Sequence, residues 1–67
     1  MDVHDRLAKN LRRLRHDKGW SQEELAFRSE IHRTFISDLE RSRRNPSIEI
    51  IDKLARGLAV KLGDLLD

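Results

Sequence analysis

The sequence has no cysteine, one proline, three glycines and no long apolar run. Without cysteine the chain can form neither disulfides nor thiolate metal sites, which agrees with the reducing cytoplasm, where we expect this protein. No apolar run approaches the roughly 20 residues of a membrane span. Residues 1–6 are too polar for a secretory signal peptide. We therefore expect a soluble protein without a membrane partner.

Groups that carry catalysis and cofactor binding are also scarce. The histidines His4, His16 and His32 have no second metal ligand at helical spacing, so we expect no metal site. A chain with three glycines and no cysteine offers no nucleophile–base pair and no glycine loop for phosphate. We expect no catalytic residue, no cofactor and no small-molecule ligand. With one tryptophan, two phenylalanines and no tyrosine, the chain also lacks the stacking aromatics of sequence-specific RNA readers.

The length of 67 residues corresponds to one domain, which we predict to span residues 1–67. A chain of this size buries only about 60% of the surface that its unfolded form exposes. The core of so small a domain supplies no more than about 3–5 kcal/mol of stability. An apolar surface that a second subunit covers would add to it.

Positive charge is concentrated in one segment. The net charge is only +2, but Arg41, Arg43 and Arg44 fall within four positions. Clustered guanidinium groups suit phosphate recognition, because each presents a fork of N–H donors. An ordinary solvated face is the alternative, and charge alone does not decide between the two.

Hydrophobic spacing and capping signals predict five helices and no sheet. Apolar residues at helical spacing predict a first helix over about residues 3–18, which Gly19 ends. Ser21 and Glu24 can form a capping box at the start of a second helix that ends near residue 29, and Trp20 can pack on its first turn. The remaining helices are predicted over about residues 33–41, from Pro46 to about residue 58 with Asn45 or Ser47 as cap, and over residues 62–66.

The third predicted helix has two distinct faces. At about 100° per residue, Phe35, Ile36 and Leu39 form a narrow apolar stripe. The opposite face carries mixed donors and acceptors in a number greater than solvation requires. Its members are Arg33, Thr34, Ser37, Asp38 and Arg41.

The fourth predicted helix has more apolar surface than one core contact needs. Its apolar positions span about 160°, whereas about 100° is enough for a single contact. We assign Ile50 and Leu54 to the flank left over, and expect a homodimer interface built from the C-terminal third. The expected interface residues are Ile50, Leu54, Leu62, Leu65 and Leu66. The alternative is that the last helix covers Ile50 and Leu54 within one monomer.

The segment from Ser21-Gln22-Glu23-Glu24-Leu25-Ala26 to Glu40, followed by Arg44-Asn45-Pro46-Ser47, resembles the Xre/Cro family of phage repressor-like transcriptional regulators. The resemblance covers nearly the whole chain. Within that family, residues 32–37 and 40–41 look most like the controller proteins of restriction–modification systems. The resemblance implies an all-α, compact five-helix bundle of the phage repressor-like DNA-binding fold, with a helix-turn-helix at helices 2 and 3.

In that fold the third helix enters the major groove of a palindromic operator on double-stranded DNA, and the protein acts as a homodimer. We expect Arg33 and Thr34 to read bases, and Ser37 to reach a base or a phosphate. Asp38 can accept from cytosine or orient Arg33 or Arg41, and we favour the second role. Phosphate contacts are expected from Gln22, His32, Arg43, Arg44 and Asn45. An imidazole is a poor cap, which is why His32 is placed among them.

The resemblance also implies an ion pair between Arg15 and Glu40 that ties the first helix to the third. Three positions depart from the family, which often has glycine where this chain has Glu30, Ser42 and Ala59. If their backbone is left-handed, each costs roughly 1 kcal/mol or more. The competing function is an antitoxin-like protein-interaction module with secondary DNA binding, which would not need Gln22, Arg33, Arg43 and Arg44 on one side.

Overall fold

The computed structural model describes residues 2–67, so Met1, the first residue of the predicted domain, lies outside the described residues. Between residues 2 and 67 the chain forms five helices and no strand, as the sequence predicted. They are α1 (Val3–Asp17), α2 (Gln22–Ser29), α3 (Arg33–Glu40), α4 (Ile48–Leu58) and α5 (Leu62–Leu66). None of the described helices is long and apolar enough to cross a membrane.

Side-chain caps determine where the first four helices begin. Asp2 accepts from the amide of Asp5 at 2.9 Å, and this bond holds the pKa of the Asp2 carboxyl below its ordinary value. Ser21 accepts from the amide of Glu24 at 3.1 Å. Ser47, not Asn45, caps α4 by accepting from the amide of Ile50 at 3.3 Å, so the helix begins after Pro46 rather than at it.

The capping box predicted at Ser21 is only half formed. Ser21 makes its bond, but the Glu24 carboxylate accepts from Arg28 Nε at 2.7 Å instead of reaching back to Ser21. Trp20 packs against the core beside this cap. Lys18 Nζ and the Arg28 guanidinium lie 5.3 and 4.4 Å from the centre of its ring. The indole therefore has two cations over its ring, Lys18 from the end of α1 and Arg28 from the last turn of α2.

Each of the four connections between helices contains one residue with a left-handed backbone. Gly19 follows α1 with φ of 71°. Glu30, Ser42 and Ala59 keep the same backbone region with φ of 57°, 58° and 58°, although none of them is glycine. A β-carbon is strained in this region, so these three positions lower the stability of the fold.

The core lies at the centre of the five helices. Leu11, Leu25 and Ile36 are fully buried there, one each from α1, α2 and α3. Leu54 and Leu65 are also fully buried, at 0% exposed, because α5 packs over α4 and α1 within one monomer. Placing these two side chains in a dimer interface was therefore wrong.

Polar contacts from α1 hold α5 against the bundle. Arg6 Nε donates to the carbonyl of Leu66 at 3.1 Å, and Asn10 Nδ2 donates to that of Leu65 at 2.9 Å. Both carbonyl groups lie in the last turn of α5, where the helix supplies no amide donor for them, and these bonds provide one. Leu62 and Leu66 remain half-buried at the edge of the core.

A glycine allows α4 to approach α2 closely. A β-carbon at Gly57 would lie 2.4 Å from Ser29 Oγ and 3.0 Å from Ser29 Cα. Ser29 is itself buried, and its hydroxyl has no hydrogen-bond partner among the described residues. Any larger residue at position 57 would push α4 away from the second helix.

We predict that Ala59→Gly stabilises the protein by about 0.5–1 kcal/mol, because it removes a strained β-carbon from an exposed position. Thermal unfolding followed by circular dichroism should show a Tm higher by about 3–6 °C. Gly19→Ala is the mirror control, because a β-carbon there meets nothing within 4 Å and its cost comes from the backbone alone. It should lower Tm by a similar amount. A lower Tm for Ala59→Gly would show that the backbone at Ala59 is not strained.

Candidate DNA-binding surface

Helices α2 and α3 are joined by a turn over residues 30–32. The left-handed Glu30 reverses the chain, and Ile31 follows with its side chain in the core and its amide bonded to the carbonyl of Ala26 at 3.0 Å. The path into α3 is thus anchored by both main chain and side chain. This arrangement fixes the direction in which the N-terminus of α3 points.

His32 caps α3, contrary to the expectation that an imidazole would cap poorly. Its Nδ1 accepts from the amide of Thr34 at 3.2 Å. An accepting Nδ1 requires a neutral ring with its proton on Nε2. Because His32 is exposed, this Nε2–H faces solvent as a donor. The cap and the expected phosphate contact are therefore compatible.

The exposed face of α3 carries the side chains that the sequence placed there. Arg33 and Thr34 are exposed in the first turn, and Ser37 and Asp38 are half-buried one turn later. Phe35 lies at the margin, half-buried against the core. The first turn thus presents a guanidinium and a methyl-bearing hydroxyl side by side.

Asp38 binds Arg44, not Arg33 or Arg41 as expected. Its Oδ2 accepts from Arg44 Nε at 3.2 Å and from Arg44 Nη2 at 3.0 Å. The same guanidinium lies 4.5 Å from the centre of the Phe35 ring. Arg44 is therefore held between a carboxylate and an aromatic face, both from α3.

The loop after α3 keeps Arg43 and Asn45 at the surface. Arg43 is exposed, and its amide donates to the carbonyl of Asp38 at 2.9 Å. Asn45 Oδ1 lies 2.8 Å from His4 Nε2 of α1, so the amide nitrogen of Asn45 is the group left to donate outward. Ser42 Oγ adds a 3.4 Å contact to the carbonyl of His4. This contact of His4 with Asn45 could not be predicted from the sequence, because the two residues are 41 positions apart.

A buried ion pair joins the helices behind this surface. Arg15 Nε donates to Glu40 Oε2 at 2.7 Å, and Arg15 Nη2 donates to Glu40 Oε1 at 3.0 Å. The Glu40 side chain is 4% exposed and that of Arg15 is 12% exposed. Arg15 Nη1 also donates to the carbonyl of Trp20 at 2.8 Å, and Arg12 donates to the carbonyl of Glu40. The structure therefore contains the pair that the resemblance implied, within a larger network.

Gln22 belongs to this network. Its Nε2 donates to Glu40 Oε1 at 3.0 Å, so the side chain expected to grip a phosphate already has a partner inside the protein. Since the amides of Glu24 and Leu25 bond to Ser21, the main-chain N–H groups of Gln22 and Glu23 are those left at the start of α2. Any anion at this helix end would meet the main chain first.

Comparison with known proteins gives consistent findings. A family model described as helix-turn-helix matches residues 11–65. The control protein C.BamHI of Bacillus amyloliquefaciens is 53% identical over 47 residues, which cover 70% of this chain and 58% of that protein. The chain spans about three fifths of the length of the first curated relatives that it matches.

Two solved structures show the same fold. The crystal structure of the hypothetical transcription factor NHTF from Neisseria is 44% identical with a TM-score of 0.95, covering 98% of this chain and 76% of that one. The restriction–modification controller protein C.Esp1396I, solved bound to a 25-base-pair operator site, is 30% identical with a TM-score of 0.88, covering 98% of this chain and 91% of that one.

We predict that Glu40→Ala destabilises the fold by about 3 kcal/mol or more, because it strands the shielded charge of Arg15. Glu24→Ala is the matched control: it breaks an ion pair with the same 2.7 Å separation, but one that is solvent-exposed and worth about 1 kcal/mol or less. Urea unfolding of both variants measures the difference. If Glu40→Ala were as stable as the parent and yet lost all DNA binding, Glu40 would belong to the binding surface and not to the scaffold.

Proposed function

This chain belongs to the helix-turn-helix family of transcriptional regulators that includes the restriction–modification controller proteins, and on that basis we propose that it binds a specific site on double-stranded DNA and thereby regulates transcription. The observation that carries the proposal is the first turn of α3. It exposes Arg33 and Thr34 on a capped helix whose opposite face is locked in the core. An α-helix of this kind fits the B-DNA major groove, which is about 12 Å wide.

Each side chain of the first turn has a distinct role. The Arg33 guanidinium can donate to O6 and N7 of one guanine together, and the Thr34 methyl can contact a thymine methyl. Ser37 lies one turn on, where it reaches a base edge or a phosphate. These contacts give sequence preference, because the major groove presents a different pattern for each base pair.

Phosphate contacts come from the residues around α3. We assign them to Arg43, the Asn45 amide nitrogen, His32 Nε2 and the free amides at the start of α2. These groups flank the helix on both sides, so they would set its depth and register in the groove. The controller protein with the same fold that was solved bound to an operator site supports DNA binding by this fold.

A homodimer on a palindromic operator completes the proposal. The apolar side chains left at the C-terminal third are Ile48, 61% exposed, and the half-buried Ile50, Val60, Leu62 and Leu66. A twofold contact through this patch would place two copies of α3 on successive major-groove faces about 34 Å apart. We propose that such a protein acts in the cytoplasm, with which a cysteine-free composition agrees.

We predict that selection from a random DNA pool by the parent protein yields a motif with two symmetric half-sites. Arg33→Ala should lose preference at one base pair in each half-site, at a cost of about 1–3 kcal/mol, because a bidentate base contact is gone. Arg43→Ala should keep the motif and weaken binding to every duplex similarly, because phosphates carry no sequence information.

The two variants serve as controls for each other, since each removes one exposed arginine. A pool that returns no enriched motif for the parent would contradict sequence-specific binding. Equal losses on operator and random DNA for both variants would contradict the division between base and phosphate contacts.

We predict that the parent sediments as a dimer at tens of micromolar, about the weakest self-association useful to such a regulator. Ile48→Glu should be monomeric and still folded, because this side chain is exposed in one subunit and a charge there disrupts only an intersubunit contact. Lys53→Glu, on an exposed position of the same helix, controls for the change in charge. A monomeric parent, or a dimer unaffected by Ile48→Glu, would contradict an interface at this patch.

A further inference from the structure

Arg44 is held by a carboxylate from the proposed recognition helix itself. We propose that Asp38 restrains Arg44 so that this arginine adds no phosphate contact, and that Asp38 thereby lowers affinity for all DNA sequences and increases the dependence of binding on base contacts. The inference rests on the proposed function. It also replaces the expectation that Arg44 is a phosphate-binding residue.

The restraint acts from two directions. Asp38 Oδ2 accepts from two nitrogens of Arg44, at 3.0 and 3.2 Å, and the Phe35 ring covers one face of the guanidinium at 4.5 Å. Phe35 and Asp38 lie three positions apart on α3, so the two groups share one side of the helix. The clamp formed by Phe35, Asp38 and Arg44 therefore moves with α3 as one unit.

The main chain reinforces the same arrangement. The carbonyl of Asp38 accepts from the amides of Arg41 and Arg43 at 3.2 and 2.9 Å. These bonds bring the loop back over α3 and place Arg44 beside the Asp38 carboxylate. They do not involve the side chain, so Asp38→Asn leaves the loop anchored while it removes the charge.

The charge of Asp38 is the exception in its surroundings. Within residues 33–45 the described carboxylates are those of Asp38 and Glu40, and Glu40 is buried against Arg15. The exposed charged groups within the same range are guanidiniums, namely Arg33, Arg41, Arg43 and Arg44. A carboxylate here repels phosphate and neutralises one of four cations. This is the opposite of what maximal DNA affinity requires.

If Arg44 left Asp38 to bind a DNA phosphate, the exchange would be unfavourable, because a carboxylate at this position is repelled by phosphate. It would leave an unpaired carboxylate, 27% exposed, next to the charged backbone of the DNA. With the clamp intact, Arg44 and Asp38 enter the complex as a neutral pair and release no counterion. Phosphate contacts contribute equally to the binding of operator and random DNA, and their contribution to the binding free energy is then smaller. Base contacts therefore account for a larger share of the affinity.

The test measures salt dependence for the selected operator and a random duplex of equal length by fluorescence anisotropy between 50 and 200 mM salt. Asp38→Asn should bind both duplexes more tightly at low salt, with the random duplex gaining at least as much. It should steepen the slope of log K against log salt by about 0.9 per subunit, or about 1.8 per dimer. The gain over the parent then shrinks about tenfold across this fourfold range of salt.

Two further variants separate the restraint from a general change in charge. In an Arg44→Ala background, Asp38→Asn should no longer steepen the slope, because no freed guanidinium remains. Glu24→Gln is the matched control: Arg28 is likewise stacked on an aromatic ring and paired with a carboxylate, but at the far end of α2. It should leave the slope unchanged. Circular dichroism confirms that each variant is folded.

An unchanged slope for Asp38→Asn, or weaker binding to the operator, overturns the inference and leaves the proposed function standing. A slope that steepens equally in the Arg44→Ala background, or in Glu24→Gln, also overturns it. A parent that binds neither duplex overturns the proposed function and the inference together.

Discussion

The Glu40 carboxylate joins three helices at one buried point. It takes two bonds from Arg15 of α1 and one from Gln22 of α2, while belonging to the last turn of α3. Because the side chain is 4% exposed, these bonds act in a medium that screens charge weakly. The orientation of α3 relative to the rest of the bundle depends on this network. The candidate surface is the opposite side of the same helix. The buried network therefore determines how the exposed side chains of α3 are oriented toward a DNA groove.

The local parts of the fold could be predicted from the sequence. The start of α2 at Ser21 and the end of α1 at Gly19 depend on bonds within a few residues, so both can be identified from a single sequence. The burial of Leu54 and Leu65 could not be predicted, because it depends on where α5 packs. An apolar flank looks the same on a helical wheel whether a neighbouring helix or a second subunit covers it.

The candidate site shows the same division. The exposure of Arg33 and Thr34 followed from helical periodicity, but the partners of Gln22, Asp38 and Asn45 did not. Each of these partners comes close only in the folded chain, and a polar side chain has many possible hydrogen-bond partners in the sequence. Phe27 has no role assigned to it. Its side chain is 82% exposed on α2 and belongs to neither the core nor the surface described above.

The central claim is that the start of α3 and the loop after it meet DNA together. The most direct measurement is a titration of the ¹⁵N-labelled protein with the selected operator, followed by amide chemical shifts. The account predicts the largest shifts over residues 32–38 and 42–45 and at the start of α2, with small shifts over residues 62–66. Shifts concentrated on the outer face of α2 around Phe27, with residues 32–38 unperturbed, would contradict it.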